Sequence, residues 1–358
     1  VDVDALPEGT VCFANEPLVR VTAPRIEAQL VETLLLNQLN FQTMVATKAA
    51  RVVLAAGGGD PGAGEAVVDF SPRRDHGIDA AMKVARSAAV AGCGGTSNVA
   101  AAMRYGLTPV GTMAHSYVMS FRSEREAFRA FLEDNSDRAV LLVDTYDTLD
   151  GVGNAIAAAR ETGVELAGVR LDSGDLLELS RAARGLLDEA GLDRARITAS
   201  GDLEEGRIAE LVAAGAPIDL WGVGTELGTS RDSPVVNGVY KLVADLDEDG
   251  AWRPVAKRSA DKQTIGGAKQ VFRSHDGPTM AGDVIAGVGE AVEGEPLLVP
   301  AMRDGEVVHA ETLAEVQERT ATQLAALPER LRRPAPDEEV EPYPVRWSER
   351  LAARAERA

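Results

Sequence analysis

Between residues 139 and 223 apolar runs alternate with amphipathic stretches at a near-constant period. Residues 139–143, 166–169, 195–199 and 218–223 read as strands whose starts lie 23–29 residues apart. Helical patterns fill the gaps over 149–161, 176–190 and 204–214. One crossover helix between successive strands implies parallel strands with right-handed connections. The strands are largely apolar, as expected when both faces of a sheet are covered. A barrel and an open doubly wound sheet both satisfy this pattern. Each strand, however, ends in a polar or Gly-rich cluster, which favours a barrel with its site at the C-terminal rim.

Upstream, 66–70 reads as a buried strand and 78–90 as a helix, and a Gly-rich turn opens a second helix at Thr96-Ser97-Asn98. Val110-Gly111-Thr112 reads as a strand with His115 just beyond it, and 124–132 as a mixed-charge surface helix. Nearer the start, 10–21 reads as a strand pair around Asn15-Glu16-Pro17. Pro24 then opens a long helix with Leu30, Leu34, Phe41 and Val45 on one face, expected to be buried or at an interface. Val52-Val53-Leu54 reads as a short strand ended by three glycines, and 60–65 as a loop. After 235 the pattern becomes β, with strands over 240–244, 252–257 and 269–272 and an acidic turn at 245–250. A helix over 313–327, a Pro-rich acidic tail or linker at 333–345, and a charged helix over 348–357 follow.

A chain of 358 residues can bury one large core and an accessory one. Its 37 basic against 56 acidic residues, net −19, argue against nucleic acid as the main partner, because binding a phosphate backbone needs a basic face. A small phosphorylated ligand needs only a local Arg cluster and stays open. Cys12 and Cys93 form neither a metal-ligand spacing nor a disulfide framework, so a reducing, cytoplasmic setting is expected. No apolar run reaches the roughly 18 residues of a membrane span. The first residues, VDVDALPEGTV, carry no signal-peptide pattern and no initiating Met, so a missing N-terminal part is expected.

The chemistry is concentrated at strand ends. Alternation puts Arg170 and Asp172 on one face, where an Arg can hold a phosphate bidentately and a carboxylate can accept sugar hydroxyls or bind Mg²⁺ through water. The competing reading is a local ion pair, with Ser173 and Asp175 capping the next helix. In Ser200-Gly201-Asp202 the glycine admits a ligand to the backbone and the following helix offers N–H groups to a phosphate; a simple capping turn explains it equally well. Gly222-Val223-Gly224-Thr225 ends the last strand of the series, where barrels often place a phosphate. Asp147 and Thr148 read as a helix cap. Arg73 and Arg74 follow an aromatic at a strand end and suit an anion, or form a solvated basic pair. His115 reads as general acid, core donor or nucleophile toward phosphate; the residues alone do not choose. His76, His275 and His309 lie in surface-like sequence.

Ten segments, in order, then carry a resemblance: EPLVRV (16–21), LLLNQLNFQTMVATKAARV (34–52), DFSPRR (69–74), GGTSN (94–98), GTMAHS (111–116), LLVDTYDTL (141–149), VRLDSGDL (169–176), ASGDL (199–203), GVGTEL (222–227) and VYKLV (239–243). The chain resembles the nicotinate phosphoribosyltransferase family. The resemblance implies an irregular TIM-like α/β barrel over 22–235, a second, smaller α/β domain built from both chain ends (1–21 and 236–330), and a tail with a terminal helix over 331–358. It also implies transfer of phosphoribose from phosphoribosyl pyrophosphate to nicotinate, giving nicotinate mononucleotide and pyrophosphate in pyridine nucleotide salvage. ATP hydrolysis, with Mg²⁺, would be coupled to that transfer in a homodimer. On this resemblance His115 matches the phosphorylated histidine, Phe70 the aromatic that stacks on the pyridine, and Arg73 the anion-binding arginine. Ser97 matches the contact to the pyridine substituent. Arg170, Asp172, Gly201, Asp202, Gly224 and Thr225 match the ribose and phosphate contacts, with Asp172 and Asp202 placed to stabilise charge on the ribose.

Two departures stand out. The family has a longer N-terminal part that gives an aromatic to the neighbouring subunit's site. Ser71-Pro72 stands where many members have Gly and an apolar residue. A nicotinamide-using relative is the nearest alternative, against which stands Ser97 in place of an expected carboxylate. A catalytically silent phosphoribosyl binder is the alternative from another class.

Overall fold

The computed structural model describes residues 1–136, 138–257, 264–333 and 340–357. The chain divides into two compact units. One holds Gln42–Pro234, and the other holds Val1–Phe41, Val235–Arg332 and the C-terminal residues.

The first unit is built on six parallel strands: β1 (Val67–Asp69), β2 (Gly95–Thr96), β3 (Val140–Leu142), β4 (Gly168–Leu171), β5 (Arg196–Ala199) and β6 (Leu220–Val223). Their order is β2-β1-β6-β5-β4-β3, and every neighbouring pair is parallel. The first strand pairs with the last, and the rest follow in chain sequence around the ring. That is a barrel's order, opened between β2 and β3, and not the reversing order of a doubly wound sheet. Val67, Val68, Leu141, Leu142, Val169, Leu171, Ile197, Trp221 and Val223 are buried, as strands covered on both faces must be. The crossover helices Thr148–Thr162 and Leu176–Glu189 are capped by Asp147 and Asp175, which accept from N–H groups of their first turns.

Among its described residues, the second unit contains two four-stranded sheets and a hairpin. In one sheet Asp2–Ala5 lies between Val19–Thr22 and Val299–Arg303, antiparallel to both. In the other, the hairpin of Lys269–Asp276 and Thr279–Gly287 is joined by Glu295–Pro296 and, in parallel, by Val345–Trp347. Val271, Ile285, Leu297, Leu298 and Leu351 form its apolar core. Beside it Arg273 and Asp283, both fully buried, pair at 2.6 Å, and the Tyr343 hydroxyl donates to Asp283 at 2.9 Å. The helix Leu313–Ala325 starts with a capping box of Thr312 and Glu315.

Several sequence expectations are corrected. The first strand pair is Asp2–Ala5 with Val19–Thr22; residues 10–13 form no strand. The helix after Pro24 breaks at Val31 and then runs Glu32–Ala56, so Val52-Val53-Leu54 is helical. Their β-branched bias loses to burial of that helical face. Only the later part of this stretch is buried: Leu30 at the end of the first helix and Leu34 at the start of the second are 76% and 63% exposed, whereas Val45 is fully buried. Residues 61–66 form a 3₁₀ helix. Val110-Gly111-Thr112 is no strand; the chain makes a single parallel bridge at Pro109. Residues 240–243 are irregular, and the hairpin is Ala244–Leu246 with Trp252–Pro254. Of the expected tail, 334–339 lie outside the described residues. Tyr343 is buried, stacking on Phe13 with ring centroids 3.7 Å apart, and Val345–Trp347 joins a sheet, so that stretch is part of the fold.

Candidate active site

At the C-terminal ends of β4 and β5 three polar groups meet on one guanidinium. Arg170, the third residue of β4, donates from Nε to Ser200 Oγ at 2.7 Å, from Nη1 to Thr112 Oγ1 at 3.1 Å and from Nη2 to Asp172 Oδ1 at 2.7 Å. It also lies over the Phe70 ring, 5.1 Å from the centroid. The expected one-face placement of Arg170 and Asp172 is present, and they are indeed an ion pair. The pair is embedded in hydroxyls, not isolated.

Asp172 is held from several sides. Ser200 Oγ donates to its Oδ1 at 2.5 Å, and its backbone N–H donates to Asp144 Oδ2 at 2.9 Å, which also accepts from Ser173 Oγ at 2.6 Å. Burial alone would raise the Asp172 carboxyl. The Ser200 hydrogen bond and the Arg170 charge outweigh burial and hold it below the ordinary carboxylate range, with His115 adding to the effect.

His115 is the first residue of the short helix His115–Met119 and is half-exposed. Its Nδ1 lies 3.1 Å from Thr145 Oγ1, and its Nε2 lies 3.7 Å from Asp172 Oδ2. A histidine between a hydroxyl and an ionised carboxylate has one nitrogen fixed and the other beside a proton acceptor.

The glycines have spatial reasons. Gly201 has φ +91°, and a Cβ on it would lie 2.0 Å from the Asp172 carbonyl oxygen. A Cβ on Gly222 would lie 2.6 Å from the Phe70 ring, so only glycine leaves that ring its place. Gly224 approaches the Phe70 carbonyl, and Thr225 begins the helix Thr225–Thr229. Asp202, at φ +46°, is exposed on the turn after β5.

Phe70, His115, Arg170, Asp172, Gly201 and Gly224 are thus joined by contacts. Arg73, Ser97, Asp202 and Thr225 sit on the same or neighbouring strand ends, and Arg73, Ser97 and Asp202 are exposed. One expectation fails here: the helix Glu205–Ala213 does not offer its first N–H groups to a ligand. The Glu204 carboxylate accepts from Gly206 N at 2.7 Å and Arg207 N at 2.5 Å. Asp175 caps its helix as read, whereas Ser173 donates to Asp144 instead. His309 is not free at the surface but pairs with Glu311 at 3.0 Å. Thr112, Thr145 and the Ser200 hydroxyl escaped the reading as site groups. Each is a lone hydroxyl beside a recognised motif residue, and only the fold shows which side chain it meets.

Comparison with known proteins agrees with this layout. The profile of the nicotinate phosphoribosyltransferase (NAPRTase) family matches residues 66–264, and that of the nicotinate phosphoribosyltransferase C-terminal domain matches residues 286–354. The nicotinate phosphoribosyltransferase pncB2 of Mycobacterium tuberculosis is 48% identical over 360 residues, covering 99% of this chain and 75% of that protein. The Bacillus subtilis nicotinate phosphoribosyltransferase is 46% identical over 301 residues, covering 82% of this chain and 60% of that protein. Among solved structures, human nicotinic acid phosphoribosyltransferase superposes with TM-score 0.80 at 26% identity, over 99% of this chain and 82% of that one. Strand order, the clustered strand ends and these matches lead to one statement: the chain belongs to the nicotinate phosphoribosyltransferase family.

Proposed function

We propose that this chain is a nicotinate phosphoribosyltransferase of pyridine nucleotide salvage whose transfer is coupled to ATP hydrolysis through His115. The observation that supports this reading is the Arg170 centre: one guanidinium shared by Asp172, Ser200 and Thr112, above Phe70 and beside His115. Phe70 stacks on the pyridine, Arg73 pairs with the carboxylate of nicotinate, and Ser97 contacts the same substituent. Arg170, Gly201, Gly224 and Thr225 hold the ribose phosphate.

The ring nitrogen attacks C1 of the ribose, and the C1–O bond to pyrophosphate breaks with its electron pair going to the leaving oxygen. Nicotinate nitrogen is already nucleophilic, so no strong base is required. Positive charge on the ribose is stabilised by the ionised Asp172 and by Asp202. Asp172 and Asp202 are the carboxylates that would hold Mg²⁺ through water, and the ion would supply charge neutralisation for the departing pyrophosphate. His115 accepts the terminal phosphoryl group of ATP as ADP departs and loses it to water as inorganic phosphate, changing affinity for phosphoribosyl pyrophosphate between the two states.

The protein acts in the cytoplasm as a homodimer; no described helix is long and apolar enough to cross a membrane. A second copy covering Ile26, Leu30 and Leu34 is the assembly this reading expects, and a monomer in sedimentation would remove it. For the activity, the chain is given nicotinate or nicotinamide with phosphoribosyl pyrophosphate and Mg²⁺, with and without labelled ATP. Nicotinate-dependent pyrophosphate release, stimulated by ATP, with acid-labile label on His115, is the expected result. Release preferring nicotinamide, or none with either, overturns the substrate; release without label on His115 overturns the coupling.

A further inference from the structure

Beneath the turn that carries Phe70 and Arg73 lies a polar cluster that the proposed chemistry does not use. Asp69 on β1 is fully buried. Its Oδ1 accepts the Ser71 N–H at 2.9 Å and its Oδ2 the Thr96 hydroxyl at 2.8 Å. Its carbonyl accepts the Ser97 N–H at 2.8 Å. One residue therefore ties the turn after β1 to the turn after β2. Thr96 continues the tie, its Oγ1 accepting the Asn98 N–H at 3.0 Å.

Ser71, also fully buried, extends the constraint forward. Its hydroxyl donates to Asp75 Oδ2 at 3.0 Å and its carbonyl accepts the Arg74 N–H at 2.6 Å. The Asp75 carbonyl accepts the Gly77 N–H at 2.9 Å, closing the far end of the turn. On the other side of Asp75 stands Gly228. A Cβ there would lie 2.0 Å from Asp75 Oδ1 and 2.5 Å from Ser71 Cβ, so no side chain fits without moving the pair.

Two carboxylates under one short turn are an expensive way to reverse a chain. Burial raises both, Asp75 to about 6, against the hydrogen bonds that lower them. What such a hydrogen-bonded cluster supplies is a single geometry, even with Asp75 Oδ1 left buried beside Gly228 without a hydrogen-bond partner among the described residues. We propose that Asp69, Ser71 and Asp75 are positioning residues that lock the two turns together. They present Phe70, Arg73 and Ser97 to the pyridine substrate in one pose, and so set its KM and not the rate of phosphoribosyl transfer. This rests on the function proposed above.

The test uses the full chain and its Ser71→Ala, Asp75→Ala, Asp75→Asn and Gly228→Ala variants. Losing one such hydrogen bond is expected to raise the KM for nicotinate about tenfold. The KM for phosphoribosyl pyrophosphate should stay within about twofold in the same variants, as expected of a loss confined to one substrate's binding. Asp75→Asn keeps an acceptor for Ser71 and should recover most of the lost affinity. Gly228→Ala should behave like Asp75→Ala. An unchanged KM for nicotinate in Ser71→Ala and Asp75→Ala overturns the proposal, as does an equal loss in both KM values and kcat. If the parent chain does not turn over nicotinate, the proposed function fails, and amide hydrogen exchange over residues 70–76 reads the network instead. Faster exchange in Ser71→Ala and Asp75→Ala supports the lock, and unchanged exchange overturns it.

Discussion

A single hydroxyl, Ser200 Oγ, accepts from Arg170 and donates to Asp172, so three residues from two strand ends behave as one unit. Because the Asp172 carboxyl is held below its ordinary value, its contribution to stability is present above pH 3.8 and lost only as pH falls through the lower folded value. The opposite case lies in the second unit. Glu16 is pushed up to about 8 by burial, and then by the Asp283 carboxylate beside it. Its folded value lies above the ordinary one, so the folded state holds an extra proton between pH 4.5 and about 8. Stability then falls as pH rises through that window. Glu16→Gln should match the parent near pH 5 and melt a few degrees higher at pH 9. Thermal melts at both pH values check this, and equal melting at pH 9 would contradict it. At this scale the sequence told part of the story. Strand alternation placed Arg170 with Asp172, but nothing local linked either to Thr112 or Ser200, which meet them only through neighbouring strand ends.

Elements were most legible where their caps and periods are strong. Ile78–Val90 and Leu176–Glu189 fall within a residue of the reading, because apolar spacing and a following Gly or a leading Asp mark their ends. The helix Glu32–Ala56 was misread where two valines and a leucine imitate a strand. There the fold overrules local preference. Lys48, 2% exposed, pairs with Glu205 at 2.6 Å and with Asp232 at 2.8 Å, anchoring the helix in the barrel unit. Among the described residues, Lys48→Ala would leave the buried Glu205 with Arg51 as its remaining ion-pair partner, and should cost about 3 kcal/mol. Adding Glu205→Ala should restore part of that. Urea unfolding measures both, and a Lys48→Ala loss of under about 1 kcal/mol, the size of a surface pair, would contradict a buried anchor.

For the whole molecule, the repeated βα period limited the choice to two architectures, and polar strand ends favoured the barrel. Only the pairing of β1 with β6 decides it, because strand order is a long-range fact that periodicity does not contain. The second unit was the least legible. Its sheet draws strands from residues 2–5, 19–22 and 299–307, and the tail-like composition near 343 hides a buried tyrosine. Family resemblance supplied the site roles, and the fold supplied the contacts among them. Central to the proposed function is Asp172, which, ionised between Arg170 and Ser200, is proposed to stabilise the ribose as pyrophosphate leaves. The direct measurement is nicotinate mononucleotide formation at saturating substrates by the parent chain and by Asp172→Asn. A fall in kcat of about a hundredfold or more, with the fold intact, is predicted. An Asp172→Asn enzyme that turns over as fast as its parent would contradict it.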